Sequence, residues 1–166
     1  MSGMIIHASK DFTKRYKCRL STVGSDKPQP GKMTSWSAHF FRVGPTPLVL
    51  FMHDASLWPI LIEAKGITKL EDLLPLFLER VMELFRAHGH AFDNQNQSVV
   101  FLGRSNRSLI GSMNDVIQLM KLRAEEIRSD GGKVDWLGFE AWIADTPFSA
   151  IGYQSPLGRL REILAA

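Results

Sequence analysis

Hydrophobic and polar positions alternate along this chain with two different periods, which predict strands in some segments and helices in others. The clearest signal is a set of Leu, Phe and Val residues between Leu70 and Phe85 that recur every three or four residues. This spacing places them on one face and predicts a helix at about 69–88. A second apolar stripe, from Leu109 to Ile127, predicts a helix at about 107–128.

The first long helix carries two local signals. Thr68 and Glu71 have the spacing of a capping box, in which each side chain accepts a backbone N–H at the helix start. Pro75 lies inside the helix and lacks the N–H that a regular helix uses. We therefore expect a capped start and a kink in the first turns.

Short segments rich in aromatic and branched residues predict five strands. Gly44 and Pro45 lie between two of them, and this turn-forming pair predicts a hairpin at about 36–54. Pro59 cannot donate to a sheet ladder, so its strand is expected at an edge or to contain a bulge. The predicted strands are 4–9, 36–43, 48–54, 57–63 and 98–103, and shorter helices are predicted at 10–17, 135–144 and 156–165.

The order of these elements favours an α+β fold over an alternating parallel one, because most strands precede the long helices. We expect a mainly antiparallel sheet, including the hairpin at about 36–54, covered by two long helices at about 69–88 and 107–128 and by shorter helices. The 166 residues suit a single domain, 1–166. Residues 21–35 are almost devoid of apolar side chains and predict a mobile loop.

Composition and cysteine content narrow the class of protein. Hydrophobic residues make up 45% and charged residues 22% of the chain, which excludes disordered, collagen-like and coiled-coil classes. The longest apolar runs hold about six residues, whereas a membrane-spanning helix needs about 20, and no secretory signal is recognisable. Cys18 is the single cysteine, and we predict that it is an ordinary thiol in a reducing cytoplasm. Lys17 and Arg19 could lower its pKa, but no catalytic partner is evident.

An unusually polar stretch lies where the strand at 98–103 gives way to the helix at 107–128. A helix start offers unpaired N–H groups and a partial positive charge, and the cations Arg104 and Arg107 add to it. This pattern predicts a site for an anionic or phosphate group. The candidate ligand or partner-binding residues are Arg104, Ser105, Asn106, Arg107, Ser108, Asn114 and Asp115.

A purely structural interpretation of the same residues stays open. Ser105 or Asn106 could simply cap the helix, and Gly111 could let the helix approach the sheet closely. Asn114 and Asp115 would then fasten a neighbouring loop. The stretch is not a P-loop, because the required Gly-Lys-Ser/Thr is absent.

Other chemistry has weaker support. His7, His39 and His53 with Asp54 fall on predicted strands, but no compact ligand motif accompanies them, so we predict no metal and no cofactor. No Gly-x-Ser-x-Gly motif is present, and no serine has an identifiable base, so no catalytic residue is assigned. We favour a protein without enzyme activity.

The net charge of +3 conceals an uneven distribution. Residues 1–53 carry 8 Lys and Arg against 2 Asp and Glu, whereas residues 54–103 carry 4 against 7. The excess predicts a basic patch for nucleic acid or another polyanion, and a merely solvated helix face is the alternative. The patch residues are Lys10, Lys14, Arg15, Lys17 and Arg19.

The polar stretch also carries a resemblance. Residues 105–115, SNRSLIGSMND, resemble the signature of a family of small bacterial proteins described as a domain of unknown function. The start at 4–7, Ser35 with Trp36, and Thr146 with Pro147 are similar to the same family. The resemblance implies no activity, cofactor or catalytic residue. The resemblance also implies relatives on mobile elements, such as plasmids or integron gene cassettes, and hence an accessory role.

Two hypotheses follow. The first is a small cytoplasmic accessory binding module without catalytic activity, whose partner is nucleic acid, another protein or a second copy of the chain. The alternative is a small enzyme or ligand-binding protein that holds an anionic or phosphate group at the start of the 107–128 helix.

Overall fold

The computed structural model describes residues 2–21 and 35–165. The predicted mobile loop at about 21–35 therefore lies outside the described residues, apart from its two end positions. The strands are β1 (Ser2–Ala8), β2 (Ser35–Val43), β3 (Thr46–His53), β4 (Pro59–Glu63) and β5 (Gln97–Gly103). The helices are α1 (Lys10–Tyr16), α2 (Leu70–Ala87), α3 (Arg107–Ser129), α4 (Trp136–Ala144) and α5 (Pro156–Ala165), with a single 3₁₀ turn at Ser149–Ile151.

The five strands form one mixed sheet in the order β4-β3-β2-β1-β5. β2 pairs antiparallel with β3, and β3 with β4, whereas β1 is parallel to both β2 and β5. The α+β class and the predicted hairpin are confirmed. The hairpin turns at Gly44, whose φ of +58° lies in the left-handed region that glycine adopts most easily.

Two hydrophobic cores lie on opposite faces of the sheet. On one face α1, α2 and α5 bury residues such as Phe12, Phe77 and Leu160. On the other face α3 and α4 bury residues such as Met113 and Phe139. The two long helices therefore cover different faces, and the sheet is the middle layer of three.

The face that α3 covers changes from apolar to polar along β2. Phe41 and Val43 belong to the core under α3. Ser37 and His39 precede them on the same face, because alternate residues of a strand point to the same side. This leaves a polar region of the sheet beside the beginning of α3.

The start of α2 and the outer edge of the sheet test two further predictions. The predicted capping box is wrong, because the N-cap of α2 is Lys69, whose side chain makes no capping hydrogen bond. The edge position of Pro59 is confirmed, since β4 is the last strand of the sheet. No helix in residues 2–21 or 35–165 combines the length and the hydropathy needed to cross a bilayer.

Candidate functional site

A polar cavity of about 230 Å³ lies between the sheet and the beginning of α3. Its walls come from β1, β2, the residue that follows β3, the loop that leads from β5 into α3, and the first turn of α3. The lining residues are His7, Ser37, Asp54, Arg104, Ser105, Asn106, Leu109 and Ile110.

Strand pairing brings these distant residues together. In the parallel pairs, His7 of β1 lies beside Ser37 of β2 and Leu102 of β5. β5 ends one residue later, so Arg104 follows at the same end of the sheet as His7. β3 runs the opposite way along β2 and ends beside the start of β2, where the Asp54 N–H donates to the Ser35 carbonyl at 3.0 Å.

Asp54 is the centre of the hydrogen-bond network in the cavity. The Ser35 hydroxyl donates to Oδ2 at 2.5 Å, and the Ser37 hydroxyl donates to Oδ1 at 2.7 Å. On the other side, Nε2 of His7 lies 3.6 Å from Oδ2, while Nδ1 of His7 is 3.4 Å from the Gly103 carbonyl oxygen. The carboxylate is thus held between two hydroxyls and an imidazole.

This arrangement differs from the one that activates a serine nucleophile. There the imidazole lies between the hydroxyl and the carboxylate and takes the hydroxyl proton. Here the Asp54 carboxylate lies between the His7 imidazole and the Ser37 hydroxyl, and this hydroxyl donates to Asp54. Ser37 is also almost fully buried, with 1% of its surface exposed. The network is suited to binding and proton sharing rather than to attack by a serine.

Arg104 is the cation of the cavity. Burial lowers the pKa of its guanidinium, and the nearby carboxylate of Asp11 opposes this shift. Its Nη1 atom is buried and has no hydrogen-bond partner within the described part of the chain. A buried donor without a partner costs about 1–3 kcal/mol, and more when it belongs to a charged group.

The residues at the start of α3 have two roles. Oδ1 of Asn106 accepts the Leu109 N–H at 3.1 Å, so Asn106 is the N-cap, as the structural interpretation expects. Asn106 and Ser105 also line the cavity. The interpretation of Gly111 as a close contact with the sheet is wrong, because a side chain there would meet nothing within 4 Å.

Four candidates of the polar stretch lie elsewhere on α3, namely Arg107, Ser108, Asn114 and Asp115. All four have exposed side chains, and none lines the cavity. The structure therefore brings Arg104, Ser105 and Asn106 together with residues of the sheet. The other four candidates lie outside the cavity.

His39 lies on the same polar face, and its Nδ1 is 2.7 Å from the Ser9 hydroxyl oxygen. That oxygen already accepts the Phe12 N–H as the N-cap of α1. We therefore infer that the Ser9 hydroxyl is the donor and Nδ1 of His39 the acceptor of the hydrogen bond between them. Burial, then the charges of Arg104 and Lys121, lower the pKa of His39 to about 4. His39 is therefore neutral at pH 7.

The histidines do not converge on one point. His53 is buried at the end of β3, where its Nδ1 lies 2.6 Å from the Ser56 hydroxyl oxygen. His7 and His39 belong to the networks of Asp54 and Ser9. Among residues 2–21 and 35–165, no three His, Cys, Asp or Glu side chains are grouped as metal ligands would be.

The N-terminal basic residues divide into two groups. Lys10, Lys14, Lys17 and Arg19 are exposed. Arg15 is half-buried, with its guanidinium 5.0 Å from the centre of the Phe40 ring. Burial raises the pKa of the Cys18 thiol to about 11. The neighbouring cations therefore do not make it reactive.

Sequence reasoning missed the serines that hold Asp54, and it considered His7 and Asp54 only as metal ligands. The alternation of side chains between the two faces of each strand is a signal that could have identified these residues. His7 and Ser37 occupy positions on the α3 face, where the same face of β3 carries Leu48, Leu50 and Met52. A polar residue at such a position is unusual unless it is hydrogen-bonded or functional.

Comparisons with known proteins give the family and no activity. No curated protein and no solved structure matches the chain significantly. A family model described as a domain of unknown function, DUF6933, matches residues 5–158. This match includes all the residues that line the cavity, from His7 to Ile110. The chain therefore belongs to the DUF6933 family.

Proposed function

We propose that the protein binds a small ligand in the cavity at the start of α3 and holds its anionic group with Arg104. The observation that carries this proposal is the buried Nη1 atom of Arg104, which has no partner in the described chain. An anion beside the guanidinium would supply the missing acceptor and offset the cost of burying the charge.

The surroundings of Arg104 support an anion of small size. The cavity of about 230 Å³ is smaller than the roughly 300–1,000 Å³ of sites for drug-sized ligands. The positive end of the α3 dipole lies at its N-cap, Asn106, and favours negative charge. Asn106 adds an amide that lines the same cavity.

The order of the hydrogen-bonded groups around Asp54 favours ligand binding over covalent catalysis. Because the Ser37 hydroxyl donates to the carboxylate, it is not paired with an imidazole that could activate it. We therefore infer a non-catalytic, cytoplasmic accessory protein. The bacterial origin and the mobile-element setting of this role come from the resemblance of residues 105–115.

The test is a thermal-shift titration with inorganic phosphate, sulfate and acetate. At a concentration ten times Kd, one-site binding adds about 1.4 kcal/mol, which raises Tm by about 3–6 °C in a chain of this size. Arg104→Gln should lose the rise. Arg107→Gln removes an equal charge three residues away, outside the cavity, and should keep it.

Three outcomes would overturn the proposal. One is the absence of any Tm rise with all three anions in the wild-type protein. Another is an equal response in wild type and Arg104→Gln, which would place the binding outside the cavity. Equal losses in Arg104→Gln and Arg107→Gln would indicate a general charge effect instead of a built site.

A second candidate function is binding of nucleic acid by α1. Lys10 and Lys14 are exposed four residues apart on one face of α1, and Lys17, which is also exposed, follows at the C-cap of this helix. Within the described residues, none of these lysines forms an ion pair. Binding of single-stranded RNA should then weaken with salt, and replacing all three lysines by Gln should flatten that dependence. Salt-independent or undetectable binding at 50 mM salt would contradict it.

A further inference from the structure

We propose that the ligand is a small zwitterion of the amino-acid type, with its carboxylate at Arg104 and its ammonium at Asp54. This inference rests on the proposed anion site and adds the second charge. It starts from the observation that one cavity of about 230 Å³ is lined by both Arg104 and Asp54.

The two charges do not neutralise each other. The groups that contact Asp54 are Ser35, Ser37 and His7, and Arg104 is not one of them. The carboxylate that acts on Arg104 is Asp11 of α1. No ion pair joins Arg104 and Asp54 in the described chain, so neither is the counter-ion of the other.

Asp54 has capacity for a further donor. A carboxylate offers about four acceptor positions, and the two serine hydroxyls occupy two of them. His7 lies at 3.6 Å, beyond the length of an ordinary hydrogen bond. An ammonium group, with three donors and no acceptor, matches the remaining positions.

A ligand of one sign fits the cavity less well. A simple anion satisfies Arg104 and at the same time is repelled by Asp54, whereas a simple cation has the opposite problem. A zwitterion compensates both charges. Leu109 and Ile110 form the apolar part of the lining, which suits a short aliphatic body between or beside the two charged groups.

The test compares ligands that differ only in the ammonium group. Isothermal titration of the wild-type protein would use L-alanine against propionate and 4-aminobutyrate against butyrate. At least one zwitterion should bind tenfold or more tightly than its deaminated partner. Asp54→Asn should abolish this preference, while the weaker binding of the deaminated acid persists and still depends on Arg104.

The outcomes separate this inference from the proposed function. If zwitterions and deaminated acids bind alike in an Arg104-dependent manner, the zwitterion is wrong and the anion site stands. If no carboxylate and no phosphate binds in an Arg104-dependent manner, both proposals fail. The ligand pairs decide the question in the wild-type protein, even if loss of the serine contacts prevents Asp54→Asn from folding.

Discussion

Glu140 joins three parts of the fold at the outer edge of the sheet, and its replacement should destabilise the protein strongly. Its Oε2 accepts the Leu61 N–H of β4 at 2.9 Å, and its Oε1 pairs with the guanidinium of Arg80. α4 and α2 lie on opposite faces of the sheet, so the carboxylate links both layers across the edge strand. The side chain is buried, with 8% of the residue exposed.

The magnitude follows from what each substitution leaves without a partner. Glu140→Ala leaves the Leu61 N–H unsatisfied, which costs about 1–3 kcal/mol. It also removes one of the two carboxylates that pair with Arg80, the other being Glu83. Because Glu83 remains and the Arg80 side chain is 27% exposed, this loss is below the roughly 3–5 kcal/mol of a fully buried broken pair. Together they predict a loss of about 3 kcal/mol, or a fall in Tm of about 6–12 °C.

Glu140→Gln separates the two effects. Glutamine keeps an oxygen that can accept the Leu61 N–H but gives up the charge. Burial raises the pKa of Glu140 despite Leu61 and Arg80, so the charge itself is costly in this place. The Gln variant should therefore lose only about 1 kcal/mol, roughly the net value of one hydrogen bond.

Urea denaturation at pH 7 measures both free energies, provided that the m-value is unchanged between variants. The reasoning requires Ala to be clearly worse than Gln. Equal losses in the two variants would mean that the edge N–H contributes nothing. Stabilities within about 0.5 kcal/mol of wild type for both would refute the role of Glu140 altogether.

Two further predictions concern pH and glycine. The pKa of His39 is lowered from 6.5 to about 4, so its contribution to stability should be complete above pH 6.5 and be lost as the pH falls towards 4. Urea denaturation of His39→Gln, which stays uncharged, should lack that part of the decline, and an unchanged pH profile would contradict the assignment. Gly44→Ala should lose at least about 1 kcal/mol because φ is +58° and a Cβ would press against Nη1 of Arg128. Gly111→Ala, in open space inside α3, should instead gain about 0.5–1 kcal/mol, and thermal melts that show the same sign for both would refute the account.

Local periodicity was enough to predict the helices and strands of the described residues. α5 begins at Pro156 and α3 at Arg107, as the apolar stripes and polar flanks predict. The pairing of β1 with β5 could not be read in the same way, because 88 residues separate Ala8 from Gln97 and no local signal encodes such a contact. The strand order decides which face each long helix covers.

The candidate site likewise contains residues that a local pattern predicts and residues that only the strand pairing brings together. Arg104 and Asn106 could be predicted because a polar stretch at a strand–helix junction is a local feature of the sequence. The Asp54 network could not, since it depends on β3 running antiparallel to β2 and ending beside Ser35. A lone carboxylate after a strand gives no sign of which hydroxyls will reach it.

The most direct test of the anion site is a titration of ¹⁵N-labelled protein with inorganic phosphate, followed by amide chemical shifts. The account predicts changes centred on Arg104, Ser105 and Asn106 and on their neighbour in the cavity, His7. Arg104→Gln should abolish them. Shifts confined to Lys10, Lys14 and Lys17, or shifts that persist in Arg104→Gln, would contradict the central claim.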